Sequence, residues 1–241
     1  MKILQKLAQK SNNLYADAAI TVVSFGDSVT QGCFECYLDT QDHIHTEFDA
    51  QHAYVRKFAH ILETLYPKAQ INVVDSGISG DSTRKAVDRI DHAVLRYQPD
   101  LVICSFGLND VTKGYPELEG YGERLAQIFQ KIKAAGSECI FMTPNMINNS
   151  VSHRLKDEPF IQLAERLAKL QNEGVMDAYM AKAKEVAAAN GVVVCDCYAK
   201  WKTMAANGVD TTELLANYLN HPIRDLHWLF ATSLIQTVFE N

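Results

Sequence analysis

The sequence predicts an α/β protein, a three-layer α/β/α sandwich built on a five-stranded parallel sheet. Three observations lead there. Five short runs recur that are near-continuous in apolar residues and rich in β-branched ones: 19–25 (AITVVSF), 71–76 (INVVDS), 101–106 (LVICSF), 138–143 (ECIFMT) and 191–196 (GVVVCD). Strands buried on both faces read this way, whereas strands with one wet face alternate. Between the runs lie stretches with apolar residues at three- and four-residue spacing, the period of an amphipathic helix. No linker, repeat or low-complexity stretch interrupts the alternation, so one domain over 1–241 is expected, with the strands parallel and the helices on both faces.

The elements follow in order. Residues 1–18 carry Ile3, Leu4 and Leu7 at helical spacing among lysines and glutamines. They predict an N-terminal helix packed on the domain; the second reading of that stripe is a homodimer contact. Helices are expected over 53–66, 82–97, 121–135 and 177–191, the last ending at Asn190-Gly191, a good C-terminal stop. Residues 225–240 form a closing helix. Residues 33–52 are expected to be a polar loop, and 145–175 an insertion with its own helix around 160–171. Long loops in a compact domain are usually functional or mobile.

The 241 residues are 47% hydrophobic and 22% charged, with a net charge of −6, a globular balance. No block of lysine and arginine offers an electrostatic footprint for nucleic acid, so none is expected as a partner. No run approaches the roughly 18 apolar residues of a membrane span. The first residues lack the apolar core and cleavage site of a signal peptide. A cytoplasmic protein with its six cysteines reduced is therefore expected.

In an open parallel sheet, ligands bind beyond the carboxyl ends of the strands. Those ends carry Gly26-Asp27-Ser28, then 75–82 (DSGISGDS), then 107–110 (GLND). A serine, a glycine and an asparagine on three successive strand ends suit acyl transfer. That chemistry needs a nucleophile, a base in hydrogen-bond reach, a group to orient the base, and donors for an oxyanion. Ser28 is the nucleophile candidate. The oxyanion donors are the backbone N–H of Ser28, the N–H of Gly80, where the missing Cβ permits close approach, and the amide of Asn109. The base candidate is His221, held out of helix by Pro222.

These blocks, FGDSVTQG, DSGISGDST, SFGLND and HPIRDLHWLFA, resemble the GDSL/SGNH hydrolases (GDSL-type esterases and lipases), in that order along the chain. The family is named for a Ser, Gly, Asn and His, which here are Ser28, Gly80, Asn109 and His221. The resemblance implies the flavodoxin-like SGNH hydrolase fold, ester hydrolysis through an acyl-enzyme, and neither metal nor organic cofactor. One block departs. The family usually writes DxxHP, with the aspartate orienting the histidine; three residues before His221 stands Tyr218. Three explanations are open. A backbone carbonyl or an asparagine such as Asn217 holds the ring; an acid such as Asp196 or Asp225 comes from elsewhere; or the base is His227. His221 is the reading adopted, since HPxxxxHxxxA matches the family with His221 first.

Other features have simpler readings. Asp27 is expected to brace the serine's turn. Ser79 is not a nucleophile elbow, because G-x-S-x-G is absent, and G-x-G-x-x-G is absent as well. CFEC (33–36) is half a zinc or redox motif without a matching second pair. His43, His45 and His52 with Asp42, Glu47 and Asp49 are metal-capable types in no known spacing, and read as a solvated loop. The expected substrate is a small-molecule ester, short-chain or acetyl, on a polar alcohol such as a sugar. The alternatives are an acyltransferase, a thioesterase or lysophospholipase with the same site, or a homologue that binds without turnover.

Overall fold

The computed structural model describes residues 1–15, 18–41 and 43–241. Five parallel strands form the main sheet: β1 (Ile20–Gly26), β4 (Ile71–Gly77), β5 (Leu101–Ser105), β6 (Glu138–Met142) and β7 (Val193–Cys195). Their spatial order is β4-β1-β5-β6-β7, which is 2-1-3-4-5 when only these strands are counted. That is the flavodoxin-like order, and its switch point lies between β1 and β5. Each strand falls within one or two residues of its apolar run. β5 is buried along its whole length and β1 nearly so, as expected for strands covered on both faces.

Helices complete the layers. α3 (Tyr54–Leu65) packs with the closing helix α9 (His227–Glu240). α4 (Thr83–Ala93), α5 (Leu118–Ala134) and α7 (Val175–Ala189) pack together as a second layer. The insertion carries α6 (Glu158–Asn172), close to the expected helix, against α7. α8 (Cys197–Ala206) was not foreseen; Asp196 caps it by accepting the Ala199 N–H.

The N-terminal helix α1 (Lys2–Asn12) is shorter than expected, and residues 16–17 lie outside the described ones. Ile3 and Leu7 are buried in the core, so that stripe packs on the fold. The Glu138 carboxylate accepts the N–H groups of Lys2 and Ile3 at the helix start, where negative charge is favoured.

The expected polar loop at 33–52 is instead largely an antiparallel hairpin, β2 (Cys33–Leu38) and β3 (Ile44–Phe48). The turn explains the error. Asp39 gathers the N–H groups of Gln41 and His43 and the rings of His43 and His45, so polar letters read as loop are consumed in closing a hairpin.

Candidate active site

The register of the sheet brings three strand ends together. Gly26 pairs with Gly77 on one side and with Ser105 on the other. Ser28 follows two residues after Gly26 and opens a one-turn helix, α2 (Ser28–Gln31). Asp27 caps it through the Val29 N–H, and Gly32, at φ +86°, ends it. The turn is tight. A Cβ on Gly26 would stand 2.1 Å from Thr30 Oγ1, and one on Gly77 would stand 2.2 Å from the Gln31 backbone nitrogen. Two facing glycines therefore let α2 fold back over β1 and β4, and Ser28 is carried on that turn.

Side chains lock the neighbouring loops to it. Gln31 Oε1 accepts the Ser79 N–H at 2.7 Å. Arg89 joins Asp81 at 2.6 Å and donates to the carbonyls of Gly26 and Ser76. Asn109 Nδ2 donates to the Asp81 carbonyl at 2.8 Å, tying the end of β5 to the Gly80 loop. One hydrogen bond leaves the second amide hydrogen of Asn109 over. Among the described residues, the backbone N–H groups of Ser28 and Gly80 have no protein acceptor. Gly80 adopts φ +73°, a left-handed conformation that glycine enters without penalty.

His221 completes the arrangement. Its Nε2 lies 2.9 Å from Ser28 Oγ, and its Nδ1 lies 2.9 Å from the carbonyl oxygen of Phe34. A carbonyl can only accept, so the Nδ1 hydrogen is fixed toward Phe34 and the Nε2 lone pair toward the serine hydroxyl. Burial pushes the His221 pKa down to about 4, partly opposed by the Phe34 carbonyl and the charge of Glu35. The ring is thus a neutral acceptor at pH 7.

The carbonyl belongs to the hairpin, so of the open alternatives it is a backbone carbonyl that meets the ring, and the side chains named for that task lie elsewhere. Neither Asn217, Asp196 nor Asp225 holds the ring. Asn217 Oδ1 accepts the N–H groups of Leu219, Asn220 and His221, so it shapes the loop. Asp196 is engaged by Ala199, Thr143 and Lys184 at the start of α8. Asp225 lies in the short 3₁₀ turn that leads into α9. Tyr218, which stands where the family acid is expected, sits at φ +56°. Among the described residues, the ring that bonds Ser28 Oγ is that of His221 and not that of His227. His227 is fully buried, its Nδ1 accepts the Tyr54 N–H at 2.9 Å, and its ring packs on Phe34, Tyr54 and Phe230. Burial pushes its pKa down to about 3.

Behind the serine lie three buried carboxyls, Asp27, Asp81 and Asp110. Burial, with a smaller push from the charges of Asp110 and Asp81, raises the Asp27 pKa to about 7 against the opposing Val29 hydrogen bond. Asp110 accepts from both the N–H and the hydroxyl of Thr83. The remaining candidates are occupied elsewhere. Cys33 is buried, Cys36 is half-buried beside Thr46 and Asn217, and His52 bonds Asp49. Asp42 lies outside the described residues. Sequence reasoning missed Phe34, whose contribution is a backbone atom, and Arg224, which bonds both Glu35 and Asp49.

Comparisons with known proteins bear on the family and the fold. A family model described as GDSL-like Lipase/Acylhydrolase matches residues 24–229. An acetylxylan esterase of Geobacillus stearothermophilus is 27% identical over 139 residues, 53% of this chain and 64% of that protein. The thioesterase 1/protease 1/lysophospholipase L1 of Escherichia coli K12 is 29% identical over 102 residues, 42% of this chain and 48% of that protein. The matches thus span about half to two thirds of these curated relatives. The crystal structure of Axe2, an acetylxylan esterase from Geobacillus stearothermophilus, superposes with a TM-score of 0.67 at 22% identity, covering 92% of this chain and 94% of that one. At that identity the likeness speaks for the fold.

Proposed function

This chain belongs to the GDSL-like lipase/acylhydrolase family, and from that premise we propose that it is a serine esterase acting on acetyl or other short-chain carboxylic esters. The observation that carries the reading is the relay from Ser28 Oγ to His221 Nε2 and from His221 Nδ1 to the Phe34 carbonyl, each step 2.9 Å.

Ser28 Oγ attacks the ester carbonyl carbon as its proton passes to His221 Nε2. The imidazolium so formed is stabilised by the Phe34 carbonyl at Nδ1 and by the nearby charge of Glu35. The developing oxyanion is held by the N–H groups of Ser28 and Gly80 and the free amide hydrogen of Asn109. His221 then protonates the leaving alcohol, and the acyl-enzyme forms. Water delivers a hydroxide equivalent to the acyl carbon as its proton passes to the same nitrogen, and the acid leaves with Ser28 restored. Asp27 braces the turn that carries the nucleophile.

The acetylxylan esterase relative favours an acetyl group on a sugar alcohol. Named thioesterase activity in the Escherichia coli relative makes acyl thioesters the natural competing substrate class.

The test is hydrolysis of p-nitrophenyl acetate and butyrate, acetylated xylo-oligosaccharide and an acyl thioester, with and without a chelator. Wild type should turn over acetate faster than butyrate, and the chelator should change nothing. Ser28→Ala and His221→Ala should be inactive while folded, and His227→Ala should keep turnover. Full activity in Ser28→Ala and His221→Ala removes the proposal. Loss in His227→Ala with His221→Ala active reassigns the base.

A further inference from the structure

Resting on this reading of Ser28 and His221, we propose that Arg224 is a positioning residue that holds the Phe34 carbonyl against His221, so that the β2–β3 hairpin takes the place of the family's orienting aspartate. Arg224 stands three residues after His221, on the same loop. Two of its nitrogens reach the two oxygens of Glu35, at 2.6 and 3.0 Å, and Nε donates to Asp49 at 2.8 Å. The guanidinium also lies over the Phe34 ring, 4.3 Å from its centroid. Consecutive hairpin residues thus meet consecutive features of the histidine loop. Phe34 offers its carbonyl to His221, and Glu35 its carboxylate to Arg224.

The arrangement explains how a neutral carbonyl can serve. A carbonyl at the end of a hairpin orients a ring only as well as the hairpin is placed. A flat, forked guanidinium grips a carboxylate in one plane and stacks on a ring at the same time, which an ammonium cannot do. Cys36, on the same strand, lies against Asn217 of the histidine loop, and the Phe34 ring packs on His227 at the start of α9, so three consecutive residues of β2 face that loop.

Arg224 also sets the charge around the base. Glu35, from the hairpin, favours the protonated imidazole. The guanidinium between Glu35 and Asp49 offsets both carboxylates. His227 on α9 is held neutral by burial, and Lys57 on α3 acts on that ring. Asp27, from the serine's own turn, and Asp81 and Asp110 beside it are the buried carboxyls on the other side of the site.

The experiment is the pH dependence of kcat/KM, with kcat and KM on p-nitrophenyl acetate, for wild type, Arg224→Gln, Arg224→Lys and the double variant Glu35→Gln/Arg224→Gln. Arg224→Gln should lower kcat roughly 10- to 100-fold, the scale of a small misplacement of a catalytic group, with KM little changed. Its acidic limb should move to higher pH, because Glu35 then faces His221 uncompensated. The double variant should bring the limb back while kcat stays low. Arg224→Lys should keep the limb near wild type and restore kcat only in part.

A folded Arg224→Gln with wild-type kcat and limb overturns the proposal. So does a loss of turnover that tracks the unfolded fraction while the limb stays in place. Should Arg224→Gln fail to fold, Glu35→Gln alone decides: a lower kcat and a limb moved to lower pH support the clamp, and no change in either overturns it. Turnover surviving in Ser28→Ala would instead remove the esterase reading beneath it.

Discussion

Gly26 of β1 and Gly77 of β4 are register partners, and the one-turn helix that begins at Ser28 lies back over both of them. The nucleophile's position is thus set by two absent side chains. A Cβ on Gly77 would meet the backbone of Gln31 and Thr30, which a rotamer change cannot clear. Gly77→Ala should therefore destabilise the protein by about 1–3 kcal/mol, toward the upper end because backbone must shift. Turnover should fall further than the folded fraction does, since α2 moves with Ser28. Urea denaturation at unchanged m-value, beside kcat on p-nitrophenyl acetate, measures both. A variant matching wild type in midpoint and kcat would show that α2 is not packed on the glycines.

The fold was legible because periodicity is written in side chains. The runs at 101–106 and 138–143 are apolar without alternation, and they became the interior strands β5 and β6. Ser28, Gly80, Asn109 and His221 were legible as a spaced constellation, and the strand register brings the first three onto neighbouring strand ends. The partner of His221 Nδ1 was not. A backbone carbonyl is among the alternatives the sequence leaves open, but every residue type possesses one, so nothing in the letters singles out the oxygen of Phe34 that meets Nδ1. The hairpin that supplies it hid for a related reason. Asp39, His43 and His45 look like solvated loop and are the parts of a turn.

Asp27 gives stability a dependence on pH. Its folded pKa is raised to about 7 by burial, from an ordinary value near 3.8. The folded state therefore holds a proton that the unfolded chain releases between those values. Its contribution is fully present below about pH 4 and is lost as pH rises through 7. Asp27→Asn keeps an oxygen for the Val29 N–H and cannot ionise. Relative to wild type, it should gain on the order of a few kcal/mol in going from pH 4 to pH 8. Denaturant midpoints for both proteins across that range check the sign; a parallel pair of curves would place Asp27's titration at its ordinary value.

His227 acts in the opposite direction. Its folded pKa of about 3 lies below an unfolded value near 6.5. The unfolded chain binds a proton that the buried ring refuses, so stability is full above pH 6.5 and falls as the pH drops toward 3. His227→Phe fills the space and removes the titration, at the expense of the Tyr54 N–H, which then loses its acceptor. At pH 8 it should be less stable than wild type by about 1–3 kcal/mol. The deficit should narrow at pH 4, and turnover should survive. A deficit that widens in acid would mean that the ring is protonated in the folded state.

Asn109 is asked to do two things, and kinetics can separate them. Its amide donates once to the Asp81 carbonyl, which fixes the side chain, and its second hydrogen is left for the oxyanion. A donor that meets charge only as it develops lowers the barrier without tightening ground-state binding. Asn109→Ala should therefore lower kcat about 10²- to 10³-fold, or roughly 3–4 kcal/mol, with KM nearly unchanged. Asn109→Asp has the same shape but turns a donor into a negatively charged acceptor, so it should be slower still. If Asn109 serves only as a tether for the Gly80 loop, the loss will fall on stability and KM, and Asn109→Asp will resemble Asn109→Ala. A drop confined to kcat, deeper for aspartate than for alanine, is the pattern that an oxyanion donor produces and a tether does not.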